Sequence, residues 1–372
     1  MTEADLADLG VHRIPIPIPF PQAGGPVNVY AIEERGGGVL LWDAGLGAPD
    51  AEAALEAGLR GHGRTLSDVT RILVSHGHVD HFGGARFVQE RHGRSPPVFV
   101  HPADAAKVSE AAPSWAERAP LYSAHLARLG VSPDGIRRAE REGERSFALA
   151  RRLPRVEPLG EGAVVETRHL ALAPLHMPGH TPGLVVLHDA AHRLLFAADH
   201  LLEKVSPNPL IELGPRGEPG TFRPLVSYLE SLARTRALEV DLVLPGHGPP
   251  FSGHRAVIDR LVAFYGKRQE RIRTLLGRPA DRVGGGARAL PEGARGRDLP
   301  RRLRDDREPR GARGARRGAP HRRGRGLALR LTSFHRVKVA LEVASAGVAS
   351  YDGRRILAQA AAAPGVGGPT ET

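Results

Sequence analysis

The chain has 372 residues, enough for one large hydrophobic core and a smaller appended region. Apolar residues make up 41% and charged residues 25%, as is typical of a globular protein, and the absence of cysteine excludes disulfides, thiolate ligands and a cysteine nucleophile. The acidic start lacks a hydrophobic segment, and no apolar run approaches the roughly 20 residues that span a bilayer. We therefore expect a cytoplasmic protein with no membrane partner.

The net charge of +11 lies almost entirely in one segment. Residues 278–325 contain 16 arginines, no lysine and six acidic residues, so the rest of the chain is close to neutral. The segment is also rich in glycine, proline and alanine, which cannot build a core, and this composition predicts disorder. We expect one folded domain over residues 1–277, a disordered segment over 278–326, and a short tail over 327–372 in which one small helix could form.

Three explanations of this arginine-rich segment remain open. It could bind RNA or another polyanion by neutralising phosphates, or it could be a solvated linker. Its composition is also what GC-rich DNA would encode in a shifted reading frame, and the presence of only four lysines in the chain indicates such DNA. No aromatic residues interleave with the arginines, so a nucleic-acid partner is not favoured.

The first part of the chain alternates apolar residues with turn formers, a pattern typical of short strands. Strands are predicted over 11–18, 27–32 and 38–42, and an alanine-rich helix over 49–60. Pro15 and Pro17 cannot donate backbone hydrogen bonds, which predicts that the first strand lies at a sheet edge.

An apolar run over residues 71–75 predicts a buried strand that leads directly into a cluster of histidines. The next predicted elements are a helix over 83–92, a strand over 97–101 and a mostly helical region over 103–150. Breaks in the helical region are predicted at Pro113, Pro120 and Pro133. We expect these helices to lie over the rim of a pocket.

Strands return in the second half of the chain, mixed with two long helices. Strands are predicted over 164–168, 170–176, 183–188, 193–198 and 240–244, and helices over 220–237 and 254–276. The last helix is amphipathic, with apolar residues at helical spacing, and it completes the predicted folded domain.

The sharpest signal in the sequence is the run His76-Gly77-His78-Val79-Asp80-His81, which follows the predicted strand at 71–75. A strand that ends in a loop can point alternate side chains into one site. We therefore expect His76 and His78 to face one metal ion, and Asp80 and His81 to face a second.

Three further donors, each near the end of a predicted strand, extend this set: His180, Asp199 and His247. Imidazole and carboxylate groups suit Zn(II), and also Fe(II) or Mn(II). Seven donors are enough for two ions if one carboxylate bridges them, and Asp199 is the natural bridge because it lies between the other two late donors.

In their types and order, these residues resemble the metallo-β-lactamase superfamily over roughly residues 10–275. The resemblance implies a four-layer αββα sandwich with the site along one edge of two sheets. It implies that one metal is bound by His76, His78 and His180, that the second is bound by Asp80, His81 and His247, and that Asp199 bridges them. Asp43 matches a position that supports the histidine loop from behind the metals.

The resemblance implies a metal-dependent hydrolase in which two cations share a hydroxide that attacks the substrate. Asp80, which orients the hydroxide, and Asp199 are the expected catalytic residues. Several true β-lactamases carry a cysteine at the position of Asp199, and this chain has none, so antibiotic hydrolysis is not favoured. The sequence looks closer to the branch of glyoxalase II-like hydrolases, lactonases and β-lactamase-like endoribonucleases.

We expect a small-molecule substrate, namely a thioester, an ester or a lactone. Cleavage of RNA phosphodiesters is the first alternative, and the near-neutral folded domain weakly disfavours it. A non-catalytic protein with an inherited metal site is the second alternative, which the intact donor set disfavours.

The predicted domain boundary leads to a test by truncation. All seven proposed ligands precede residue 248, so we expect a chain that ends at Gly277 to keep its metals. Hydrolysis of a small substrate should stay within about threefold of the full chain, a change of less than about 1 kcal/mol. Metal analysis and steady-state kinetics check this. Aggregation or metal loss on truncation would contradict the boundary.

Overall fold

A computed structural model describes residues 3–20, 25–110, 114–149, 151–207, 212–213 and 220–276. The predictions of a disordered segment over 278–326 and of a small helix within 327–372 lie outside these residues, as does the predicted break at Pro113.

The first half of the chain builds one sheet and the helices beside it. Its strands are β1 (Val11–Ile16), β2 (Val27–Glu33), β3 (Val39–Trp42), β4 (Val69–Val74), β5 (Val98–Val100) and β6 (Glu157–Pro158). Its helices are α1 (Glu3–Asp8), α2 (Pro49–Gly61), α3 (Val79–Phe82), α4 (Ala85–His92), α5 (Pro102–Val108), α6 (Trp115–Arg128) and α7 (Pro133–Ala148). A short 3-10 turn, Leu66–Asp68, precedes β4.

The second half builds another sheet with two long helices on its outer side. Its strands are β7 (Val165–Glu166), β8 (Ala171–His176), β9 (Val185–Asp189), β10 (Leu194–Ala198) and β11 (Leu242–Pro245), and its helices are α8 (Pro224–Ala237) and α9 (His254–Leu276). The predicted strands and helices are all present with bounds that differ by a few residues, whereas α1, α3, β6 and the 3-10 turn were not predicted.

The two sheets have different strand arrangements. The first has the order β1-β2-β3-β4-β5-β6, antiparallel from β1 to β3 and parallel from β3 to β6. The second has the order β11-β10-β9-β8-β7 and is antiparallel apart from the β10–β11 pair. The strand that contains Pro15 lies at the edge of its sheet, as predicted, because proline cannot donate to a second neighbour.

The fold has four layers in the order helices, sheet, sheet and helices, and three clusters of apolar side chains lie between them. One of these apolar layers lies between the first sheet and its helices, where Leu55 of α2 and Val88 of α4 pack against strand residues. A second lies between the sheets, with Trp42 from one and Phe196 from the other. A third joins the second sheet to α8 and α9. The arrangement is the predicted αββα sandwich, because each sheet buries both faces.

The helical region between β5 and β6 corrects one prediction. Helix α6 begins at a capping box formed by Ser114 and Glu117, and it continues through Pro120 without a break. Pro120 is exposed, so its ring points to solvent and the backbone carbonyl that loses a partner can bond water. Pro133 does mark a boundary, as the first residue of α7 after the N-cap Ser132.

Among the residues that the structure describes, no helix combines the length and the apolar character needed to cross a bilayer.

The layer between the sheets predicts a large cost for truncating Phe196, which is fully buried and packs edge-to-face on Tyr30 at 5.5 Å between ring centroids. We expect Phe196→Ala to lower the free energy of unfolding by about 3–5 kcal/mol, because a cavity replaces the ring. Phe264→Ala, at a ring that is 41% exposed, should cost about 1 kcal/mol or less. Urea unfolding measures both, and equal losses would contradict the layer assignment.

Candidate metal centre

Strand ends from both sheets meet at one edge of the sandwich. Strand β4 of the first sheet leads into the loop that contains His76 and His78, and into the short helix α3 with Asp80 and His81. In the second sheet, His180 lies in the loop between β8 and β9, Asp199 follows β10 and His247 follows β11. The backbone N–H of Val185 donates to the carbonyl of Ser75 at 2.9 Å and joins the sheets beside the site.

The first group of donors consists of His76, His78 and His180. The Nδ1 atom of His78 lies 3.0 Å from Nε2 of His76 and 2.9 Å from Nε2 of His180. Three ring nitrogens therefore point at a common position, as a single transition-metal ion requires.

The second group consists of Asp80, His81 and His247, with Oδ2 of Asp80 3.4 Å from Nε2 of His247. Asp199 lies between the two groups. Its Oδ1 is 3.4 Å from Nε2 of His81 and 3.5 Å from Nε2 of His247, whereas its Oδ2 is 3.5 Å from Nε2 of His180. Each carboxylate oxygen of Asp199 thus faces a different group. All seven donors that the sequence predicts lie in this one cluster.

The polar atoms of the cluster fit bound divalent cations. His81 Nε2 and Asp199 Oδ1 are buried and have no hydrogen-bond partner among the described residues. Such atoms are costly in a protein interior unless another group satisfies them. Nitrogen and carboxylate donors suit Zn(II), so a metal ion accounts for both atoms.

A fully buried carboxylate, Asp43, sets the orientation of two of these rings. Its Oδ2 accepts from Nδ1–H of His81 at 2.7 Å and from the hydroxyl of Ser75 at 2.9 Å, and its Oδ1 accepts from the Ser75 backbone N–H. The oxygen of Ser75 in turn accepts from Nδ1–H of His76 at 2.9 Å. Both rings therefore turn Nε2 towards the cluster. The predicted support of the histidine loop by Asp43 is confirmed.

Backbone carbonyls perform the same task for His247. Its Nδ1 lies 3.3 Å from the carbonyl oxygen of Gly25 and 3.2 Å from that of Pro26, so Nδ1 donates and Nε2 faces the cluster. The side-chain amide of Asn28 donates to the carbonyls of Pro245 and Gly248 on either side of this histidine. The start of β2 thus anchors a loop of the other sheet.

The electrostatics of three donors favour metal-binding protonation states. Burial lowers the pKa of His76 well below its ordinary value, with further lowering by His81 and His78. Burial also lowers the pKa of His78, to about 4. Burial by itself would raise the pKa of Asp199, but His247 and His81 hold it well below its usual range. At neutral pH the two rings are neutral and the carboxylate is ionised, as ligands must be. His81 differs: burial by itself would lower its pKa, but Asp43, Asp199 and Asp80 raise it well above its ordinary value.

The sequence analysis missed three side chains that support the cluster: Ser75, Asp104 and Thr181. Asp104 lies just after β5, which is parallel to β4, so both strands end at the same edge of the sheet. An acidic residue at the end of a strand next to the histidine motif was therefore an available signal. His200 and Tyr228 take part in packing, since His200 bonds Thr235 and the Tyr228 hydroxyl donates to the backbone carbonyl of His200.

Comparison with known sequences gives a consistent result. A family model described as the metallo-beta-lactamase superfamily matches residues 23–247, which contain all seven donors. The chain is 30% identical to the probable metallo-hydrolase YqjP of Bacillus subtilis over 266 residues, 71% of this chain and 80% of that protein. It is also 30% identical to the acyl-coenzyme A thioesterase MBLAC2 of Gallus gallus over 259 residues, 66% of this chain and 80% of that protein.

Solved structures agree with the sequence matches. A metallo-beta-lactamase family protein of Thermus thermophilus superposes with a TM-score of 0.62 at 29% identity, over 73% of this chain and 84% of that chain. A beta-lactamase domain protein of Burkholderia ambifaria gives 0.61 at 27% identity, over 72% of this chain and 75% of that chain.

The role of Asp43 behind the cluster leads to a prediction. In Asp43→Asn an amide group replaces one acceptor oxygen, so either the His81 ring or the Ser75 backbone loses its partner. We expect metal affinity to fall about 10–100-fold, as chelator competition would measure. Asp189→Asn is the control, because that buried carboxylate accepts two backbone N–H groups at the far end of β9. Equal metal affinity in both variants would contradict the assignment.

Proposed function

Since the chain belongs to the metallo-beta-lactamase superfamily and is a metal-dependent hydrolase, we propose that it uses two zinc ions to cleave small thioesters. The observation that carries the proposal is the position of Asp199, whose two oxygens face two separate groups of donors. One carboxylate between two groups is the arrangement that a dinuclear centre needs.

We assign the first ion to His76, His78 and His180 and the second to Asp80, His81 and His247, with Asp199 between them. Zinc is the metal we propose first because imidazole and carboxylate donors suit it, and iron and manganese, which the same donors also suit, are the alternatives that metal analysis distinguishes. Two such ions, when bound, supply Lewis acidity and lower the pKa of water towards neutrality.

The chain's own residues then hold and orient the reactants. His76 and His81 are fully buried and form the floor of the cluster, whereas Asp80, His180 and Asp199 each keep 8–9% of their surface exposed. Substrate therefore approaches from the side of these three residues and His78. The carboxylate of Asp80 is the group that accepts a hydrogen bond from the attacking water and aligns it with the substrate carbonyl.

Two features favour a thioester among small acyl substrates. One of the relatives that match over most of the folded domain is an acyl-coenzyme A thioesterase. The folded domain is also close to neutral once the arginine-rich segment is set aside, which does not suit a long polyanion such as RNA. A coenzyme A thioester of a small acyl group is therefore the substrate class to test first.

A substrate panel tests the proposal. Full-length protein loaded with zinc is assayed against acyl-coenzyme A thioesters, simple esters, lactones and single-stranded RNA. We expect thioester hydrolysis to be fastest and only weakly dependent on salt, because few phosphates would be neutralised in binding. RNA cleavage without thioester, ester or lactone turnover would overturn the assignment in favour of a phosphodiesterase.

Variants and metal analysis test the dinuclear centre separately. Elemental analysis should find close to two zinc ions per chain. Asp199→Ala should lower kcat/KM at least about 100-fold and disturb both ions, because the carboxylate lies between both groups. Asp241→Ala is the control, since this exposed residue lies at the far end of the second sheet and pairs with Arg193. Full metal content and near-native rate in Asp199→Ala would exclude it as the bridge.

A further inference from the structure

We propose that Asp104 is a positioning residue that fixes the separation between His78 and His180, two ligands carried by loops of different sheets. The inference rests on the metal binding in the proposed function, and it concerns a residue outside the seven donors. Asp104 lies in the first turn of α5, directly after β5, and its side chain is fully buried.

One oxygen of Asp104 ties the two ligand loops together. Its Oδ2 accepts from the backbone N–H of Gly77 at 2.9 Å and from the hydroxyl of Thr181 at 2.5 Å. Gly77 lies between His76 and His78, and Thr181 follows His180 directly. A single atom thus holds the residues adjacent to the two rings whose nitrogens are 2.9 Å apart.

The packing around Asp104 supports the same role independently of the hydrogen bonds. A Cβ atom at Gly77 would lie 2.9 Å from Cδ of Lys107 and 3.4 Å from Cβ of Asp104. A Cβ atom at Gly183 would lie 2.7 Å from the backbone nitrogen of Asp104 and 2.8 Å from its Cβ. Each ligand loop therefore places a glycine against the start of α5, and at Gly183 no larger residue fits without moving the backbone.

The second oxygen of Asp104 is also occupied. Its Oδ1 accepts from Nζ of Lys107 at 3.2 Å, and the same ammonium group donates to Glu212 at 2.6 Å. Burial by itself would raise the pKa of Asp104, but Lys107, Thr181 and Gly77 lower it, so the group stays ionised. An ionised acceptor strengthens the bonds to both loops. Because its oxygens are engaged in this way, Asp104 positions ligands and does not bind an ion.

Asp104 and Asp43 therefore have different tasks. Asp43 orients His76 and His81, which belong to one loop and the short helix after it. Asp104 acts between two loops that are far apart in sequence, and both belong to the group of His76, His78 and His180. Loss of the Asp104 link should weaken this one metal position and leave the position of Asp80, His81 and His247 nearly unchanged.

The test uses the full-length protein and zinc as the only ligand. Zinc binding is titrated by competition with a chelator in Asp104→Ala, Asp104→Asn and Thr181→Val. Thr181→Val removes one hydroxyl at nearly constant volume, so it keeps the test decisive if Asp104→Ala does not fold. Asp189→Ala is the matched control, because it removes a carboxylate of equal burial that accepts two backbone bonds away from the cluster.

We expect Asp104→Ala and Thr181→Val to weaken one of the two zinc equivalents about 10–100-fold and to leave the other within about threefold. Asp104→Asn should lose less than Asp104→Ala, because an amide oxygen can still accept from both loops. The inference is overturned if Thr181→Val and the folded Asp104 variants bind both zinc equivalents like the native protein, or if Asp189→Ala weakens zinc binding equally. Native protein that binds zinc but hydrolyses none of the tested substrates would overturn the proposed function only, since this titration contains no substrate.

Discussion

The organisation of this protein depends on burying a cluster of ionisable side chains at the edge between two sheets. Five imidazoles and two carboxylates converge there, and two of their buried atoms have no hydrogen-bond partner among the described residues. Burial of such groups opposes folding unless their charges and lone pairs are satisfied. Binding of metal ions would offset this cost, so metal binding and stability of the loops are expected to be coupled.

The sandwich supplies the rigidity that makes such a cluster possible. Strands β10 and β11 are buried throughout and β4 is buried over its last three residues, and these strands deliver donors to one edge from two different sheets. Apolar layers on both faces of each sheet fix the positions of those strand ends relative to one another. The polar residues of the site do not have to stabilise the fold, because burial of the apolar layers supplies that stability.

Support behind the donors comes from two carboxylates and from backbone carbonyls. Asp43 acts within the histidine motif, Asp104 acts across two loops, and the carbonyls of Gly25 and Pro26 orient His247. Asp43 and the two carbonyls orient the rings of His81 and His247. Asp104 contacts the residues next to His78 and His180 and so sets the separation between these two rings.

The sequence by itself determined most of the secondary elements and the list of candidate donors, because apolar periodicity and the spacing of His76, His78, Asp80 and His81 are local properties of the chain. It did not show that Pro120 lies inside a helix, since an exposed proline is tolerated when capping and packing continue the helix around it. It also did not reveal Asp104. That residue meets Thr181 across 77 positions, and only the pairing of β4 with β5 and the stacking of two sheets bring it between the ligand loops. An acidic residue after a strand is the one local signal for Asp104, and it does not identify the partner across the two sheets, so the tertiary structure decides this contact.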